Sequence, residues 1–260
     1  MLPDLVLPDL WPLLLAASFF AGTVDAVGGG GGLIQLPALL GLFPTAAIPT
    51  LFGTNKVASI FGTAAAAVHF IRRVRMPWLV VVPATLAAFV GSFSGAFFAS
   101  ALPRRVMLPL VIVLMVAAAL HTFLKKDFGH LTTREPTPAD RPAAAALGGG
   151  IGFYDGIFGP GTGSFLIFGF VRLFGLDLVR ANAATKIVNA TTNLAAILFF
   201  AWHGAVMWPV ALLMAAANFL GGQLGARIAL RFGAKLLRKV FLIAVTALIV
   251  KLLVDLVRSW

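Results

Sequence analysis

From residue 11 to residue 257 the chain is a succession of apolar stretches separated by short turns, with one long polar interruption at 125–142. The stretches run over 11–27, 33–43, 50–71, 78–101, 106–124, 143–158, 165–174, 181–202, 208–230 and 236–257. A helix needs roughly 20 mostly apolar residues to cross a bilayer, and most of these stretches approach that length. Hydrophobic residues make up 60% of the chain and charged ones 11%, with a mean hydropathy of +0.99. A soluble domain is about 45–50% apolar and about 25% charged. One soluble core could not hide this much apolar surface, so lipid must cover part of it. The expected fold is an all-α integral membrane protein, with no sizeable soluble domain and no extended nucleic-acid-binding face.

The net charge of +11 would suggest nucleic acid in a soluble protein. Here it reads as Lys and Arg holding loops on the cytoplasmic side. Cysteine is absent, which removes disulfides, thiolate metal sites and thiol chemistry. The first ten residues carry Asp4 and Asp9 and no Lys or Arg. A cleavable signal peptide needs a basic start, so the first apolar segment is expected to be retained.

The chain is one unit written twice. From Asp25 to Asp155 the offset is 130 residues, and the same offset carries Gly22, Gly29, Gly31 and Lys56 onto Gly152, Gly159, Gly161 and Lys186. Trp78 falls on Trp208, and Phe89, Gly91 and Gly95 fall on Phe219, Gly221 and Gly225. Asp and Lys are rare inside apolar segments, so their recurrence carries the signal. Internal repeats of this kind are common in secondary transporters. The predicted organisation is a repeat over 1–124, a cytoplasmic linker over 125–142 and a second repeat over 143–260, each repeat with about five segments. The second segment of each, short and next to a glycine run, is expected to be broken or partly unwound.

Basic residues then set the topology. If every segment crosses, one side holds fourteen loop Lys and Arg and the other holds Arg104, Arg105 and Arg258. If the short segments re-enter instead, the same residues split eight to nine. The positive-inside rule favours the first arrangement: five plus five segments, inverted repeats, both termini outside.

Four ionisable residues lie inside apolar segments or at their glycine breaks: Asp25, Lys56, Asp155 and Lys186. A charge at the bilayer centre costs about 2.5–3.5 kcal/mol on insertion scales, so such residues face a cavity or each other. They can be structural, as an Asp–Lys pair within each half, or functional, as a proton-coupling or gating pair. The glycine runs at 28–32 and 159–163 each precede a short apolar helix. Glycine lets the backbone break there, and the helix start presents free N–H groups and a positive dipole end. Gly29, Gly31, Gly159, Gly161 and Thr162 are therefore candidate anion contacts. Beside the lysines stand Thr54, Asn55 and Ser59 in one half and Thr185, Asn189 and Asn193 in the other, able to donate to oxyanion oxygens. Gly91/Gly95 and Gly221/Gly225 have the spacing of close helix packing. His69 and His203 read as interfacial. The glycines at 148–152 lie in an apolar span with no preceding strand, so they do not make a dinucleotide loop. With no nucleophile set, metal cluster or phosphate loop, no enzyme chemistry, metal or cofactor is expected.

At Gly22-Thr-Val-Asp25 through the glycine run to Pro37, followed by Gly53-Thr-Asn-Lys56, the sequence resembles the TauE/SafE sulfite exporter family. The second half holds a looser copy, from Gly152 and Asp155 through Gly159-Pro-Gly161-Thr-Gly163 to Thr185-Lys186-Ile-Val-Asn189. The resemblance implies a carrier, by the family's name an exporter, of small sulfur-containing anions such as sulfite, sulfonates or sulfoacetate. The implied location is a bacterial inner membrane, and the implied partners are a small anion and the bilayer. Members are often described with eight spans in two groups of four, which differs from the charge count above. Two other functions fit the same residues: an anion channel, and a membrane assembly factor that transports nothing.

Overall fold

The computed structural model describes residues 11–124 and 134–232. The tenth apolar segment and the first half of the linker lie outside them. Nine α-helices form the described part: α1 (Trp11–Gly28), α2 (Gly32–Leu42), α3 (Ile48–Ile71), α4 (Trp78–Ala101), α5 (Arg104–Leu124), α6 (Arg141–Ile157), α7 (Thr162–Phe174), α8 (Leu178–Trp202) and α9 (Trp208–Phe232). Their bounds follow the apolar stretches closely because Pro, Gly and Arg clusters end each one. Four of them are long and apolar enough to cross a membrane: Trp11–Gly28, Trp78–Ala101, Leu178–Trp202 and Trp208–Arg231.

Loop contacts sort the molecule into two ends. At the first end Arg104 donates to the carbonyls of Pro44 and Ala46, and the Met207 N–H donates to Thr54 at 3.0 Å. At the second end the Arg134 N–H donates to Gly175 O at 3.1 Å, and its guanidinium reaches Leu173 O at 2.9 Å. Arg180 pairs with Glu135 there at 2.7 Å, and that hydrogen bond holds the Glu135 carboxyl below its ordinary range. Arg134 forks onto Asp140 with two bonds of 2.8 Å and, together with the Thr137 N–H, holds its carboxyl far below the usual carboxylate range. Arg227, Arg72 and Arg73 gather around His69 at the same end. Residues 134–140 and the turn after α7 therefore share an end.

Glycine contacts give the helix directions. Gly221 and Gly225 of α9 lie against the backbone of Phe19 and Thr23 of α1, rising together, so α1 and α9 run parallel. Gly148, Gly152 and Gly156 of α6 step along Ala84, Ala88 and Ser92 of α4 in the same way. Gly53, near the start of α3, meets Phe200 and Ala205 at the end of α8, so α3 and α8 run antiparallel. The pairing survives exchange of the halves: the fourth helix of each packs along the first helix of the other. Small residues make this possible because they let helix backbones touch, which is how helices associate where lipid supplies no hydrophobic drive. The spacing of Gly91/Gly95 and Gly221/Gly225 has this packing role.

The short segments differ from expectation. α2 and α7 are unbroken helices of 11 and 13 residues, and α2 contains Pro37. The break falls just before each. Gly29 and Gly30 have φ of 76° and 102°, and Gly159 and Gly161 have 91° and 88°. Side chains other than glycine rarely adopt this region, so the glycines turn the chain and the short helix can then form normally. α1 enters from the first end and α2 returns to it, while α6 and α7 do the same from the second end. The two hairpin tips touch: Gly29 packs on Gly163, and Ser164 Oγ donates to Gly28 O at 3.1 Å.

Large apolar side chains cover the outside. Val82, Leu86, Val90, Phe93 and Phe97 make an exposed stripe along α4, and Leu212 and Leu220 lie exposed on α9. Trp78, Trp202 and Trp208 stand exposed at helix ends, the level at which aromatic residues meet a membrane boundary.

Candidate functional site

The four intramembrane charges meet where the hairpin tips cross. Lys56 Nζ lies 2.6 Å from Asp155 Oδ2, with the side chains 3% and 2% exposed. Lys186 Nζ lies 3.1 Å from Asp25 Oδ2 and also donates to the Asp25 backbone carbonyl. Each lysine therefore pairs with the aspartate of the other half. The pair within a half, which the sequence allows equally well, does not form. The reason is the crossing of the hairpins: α1 carries Asp25 past α8, and α6 carries Asp155 past α3. Lys186 follows the start of α8 by eight residues and Lys56 follows the start of α3 by eight, so each pair lies about 12 Å from its own end at 1.5 Å rise per residue.

The pairs have different surroundings. Asp155 is held from behind by the Thr162 hydroxyl at 2.7 Å from Oδ1. Asp25 has Thr63 Oγ1 at 3.3 Å from Oδ2. Lys186 is fully buried and both its bonds go to Asp25, one to a carbonyl in the last turn of α1. It therefore offsets the negative end of that helix. Asn182, one turn earlier on α8, donates to the carbonyls of Ala26 and Val27 at 3.1 and 3.3 Å and completes this cap.

Beside Lys56 is a cavity of about 30 Å³, room for about two waters. Both hairpin tips open onto it, through Gly30, Gly31 and Gly32 on one side and Gly159, Gly161, Thr162 and Gly163 on the other. The starts of α2 and α7 thus converge on one space. Each helix start carries roughly half a positive charge, and the N–H groups of Gly31 and Gly32 have no backbone acceptor among the described residues. Lys56, Asn55 and Ser59 supply the α3 wall, Asn189 and Asn193 the α8 wall, and the two aspartates close it. The arrangement can hold a small anion, and it has two carboxylates able to take a proton in exchange for a lysine partner.

Paired charges buried between two glycine-broken hairpins are what the sequence motif around Asp25 and Lys56 specifies, and a family comparison decides the matter. The family model described as sulfite exporter TauE/SafE matches residues 14–252. The chain belongs to the TauE/SafE family. Among curated relatives, the "Probable membrane transporter protein ORF9" of Sinorhizobium sp is 39% identical, over 95% of this chain and 93% of its own length. The "Probable membrane transporter protein YfcA" of Escherichia coli strain K12 is 36% identical, over 94% and 91%. A "Probable membrane transporter protein" of Haemophilus influenzae is 32% identical, over 95% and 96%. No solved structure matches. The chain is therefore a membrane transporter of the TauE/SafE family.

Of the residues read from the sequence of this TauE/SafE transporter, Asp25, Gly31, Asn55, Lys56, Ser59, Asp155, Gly159, Gly161, Thr162 and Asn189 line the cavity. Gly29, Thr54, Thr185 and Lys186 stand off it. Gly29 packs against Gly163, Thr54 caps the chain at Met207 while donating to Thr50 O at 2.7 Å, and the Thr185 hydroxyl is buried with no partner among the described residues. The sequence reading missed Gln35, Thr63 and Asn218, which also line the cavity. Thr63 was legible: it is the repeat mate of Asn193 and lies seven residues after Lys56 on the same helix face. Gln35 and Asn218 have Phe165 and Ala88 as mates, so the repeat gave no signal for them. Neither histidine faces the cavity; His203 stacks on Phe199 at 4.2 Å between ring centroids.

Proposed function

We propose that this transporter is a secondary active, proton-coupled exporter of small sulfur-containing anions of the sulfite, sulfonate and sulfoacetate class, multi-pass in a bacterial inner membrane. The observation that carries the reading is the Lys56–Asp155 pair on the wall of a cavity onto which two helix starts converge. The family's description supplies the substrate class and the direction of export.

The pair suggests how coupling works. A buried ammonium needs a counter-charge, and Asp155 provides it while the site is empty. A proton on Asp155 removes that charge and frees the ammonium for an oxyanion. Asn55, Ser59, Asn189, Thr162 and the glycine N–H groups complete the anion's hydrogen bonds. Lys186, Thr54, Thr185 and Gly29 shape the site from behind. Proton and anion then occupy the protein together and travel the same way, outward whenever the outward gradient of the anion exceeds the inward pull on the proton, and Asp25 plays the matching role through Lys186. Asp155→Asn is expected to abolish proton-driven uphill transport while sparing anion exchange, with a smaller effect from Asp25→Asn. Proton-driven uptake and counterflow of labelled sulfite, measured on the same proteoliposomes, separate these steps. Normal uphill transport in both variants would remove the proton role.

Alternating access follows if residues 1–124 and 143–260 are inverted repeats that rock against each other. The antiparallel run of α3 and α8 supports this. So do the basic residues: Arg72, Arg73, Arg75, Arg134, Arg141, Arg172, Arg180, Arg227 and Arg231 belong to the second end and Arg104 and Arg105 to the first. By the positive-inside rule the second end faces the cytoplasm. Reporter fusions after Arg75 and Gly204 should report inside and outside respectively. The same side for both would overturn the orientation.

A further inference from the structure

The two walls of the cavity are unequal in a way the repeat does not require. Gln35, in the first turn of α2, is fully buried, yet its repeat mate is Phe165. Its Oε1 accepts a hydrogen bond from Ser59 Oγ at 2.9 Å, which fixes the amide. Gln35 lines the cavity, and its Nε2 has no hydrogen-bond partner among the described residues. Folded proteins leave few buried donors unsatisfied, and such a group calls for an explanation. The same turn presents the N–H groups of Gly31 and Gly32, and Ser59, which holds Gln35, lies one helical turn beyond Lys56. Lys56 is the cationic member of this set, and its one hydrogen bond among the described residues goes to Asp155, which leaves donor capacity unused.

We infer that Gln35 Nε2 donates to a second oxygen of the bound anion while Lys56 holds the first. The inference rests on the reading of this cavity as the anion site and deepens it. The binding position is then single and displaced toward the α2 wall, since no equivalent amide stands at 165. The preferred substrate is an anion with at least two oxygens on one centre, and Gln35 is a specificity-determining residue. An unfilled donor also has a consequence for the empty protein. Removing it should not destabilise the anion-free state, whereas it should weaken the complex.

The test is sulfite binding by titration calorimetry and melting temperature with and without sulfite, on detergent-purified wild type, Gln35→Met and Gln35→Glu. Methionine keeps the length but removes both the donor and the oxygen that accepts from Ser59, whereas glutamate keeps that acceptor and removes the donor. Expected for Gln35→Met is sulfite affinity lowered about ten- to hundred-fold, the range of a lost charge-assisted hydrogen bond, with the anion-free melting temperature lowered only by loss of the Ser59 contact. Gln35→Glu should lose sulfite-induced stabilisation at pH 8. Sulfite affinity of folded Gln35→Met within about two-fold of wild type would overturn the role of Gln35 and leave the anion site standing. Failure of both variants to fold would make Gln35 a structural residue and overturn it equally. A folded wild type that binds no sulfite would overturn this role and the substrate reading together.

Discussion

Asp155→Ala is expected to destabilise the protein by about 3–5 kcal/mol, because it leaves the Lys56 ammonium buried without a counter-charge. Lys56→Ala strands a buried carboxylate instead, which can take up a proton, so its stability cost should be smaller. The double variant should be less destabilised than the two losses added together. The decisive comparison is with a pairing inside one half. Lys56 and Asp25 share the cavity wall but no hydrogen bond, so their coupling should be clearly smaller than that of Lys56 with Asp155. Denaturation midpoints of the singles and both doubles in detergent measure this directly. Coupling in Lys56/Asp25 with additivity in Lys56/Asp155 would sink the crossed arrangement. The lysines should also separate by function. Lys56→Ala should lower anion affinity by about one to two orders of magnitude, the loss of a charge-assisted hydrogen bond. Lys186→Ala should affect affinity less, since its ammonium is spent on the end of α1.

Gly221→Leu is expected to abolish folded, monodisperse protein. A Cβ at 221 would lie 1.9 Å from the Phe19 carbonyl oxygen, and the clash is with backbone rather than with a side chain that can turn away. Overpacking a tight contact costs about 1–3 kcal/mol and occasionally more, and here α9 would have to leave α1 along its length. Gly148→Leu should act in the same way at α4, where the Cβ would meet Ala84 O at 2.0 Å. Gly150, two residues along, has nothing within 4 Å of such a Cβ. Gly150→Ala should therefore be neutral or raise stability by up to about 1 kcal/mol through helix propensity. Thermal melts followed by size-exclusion chromatography compare the three. A stable Gly221→Leu would mean that α1 and α9 do not pack as described.

The membrane character and the nine described helices were legible because each rests on local signals: apolar length, Pro and Gly ends, and clustered Arg. The offset of 130 residues exposed Asp25, Lys56, Asp155 and Lys186 as matched positions, since a charge repeated inside apolar sequence has few innocent explanations. The glycine runs announced a backbone break before each short segment, but not that α2 and α7 are themselves intact. The sequence could not say where each lysine finds its aspartate. Both lysines stand 31 residues after the aspartate of their own half, so a pairing within a half and a pairing across halves have the same linear pattern. The choice is made by helix directions and by the glycine contacts that let α1 and α6 run past the opposite half. The same packing decides that Gly29 is a contact between tips while Gly31 lines a cavity two residues later. It also decides that Gln35 and Asn218, ordinary polar residues without repeat mates, face the bound space. Local chemistry fixed which groups are costly to bury in a membrane, and only the crossing of the two hairpins determined which of them are buried together.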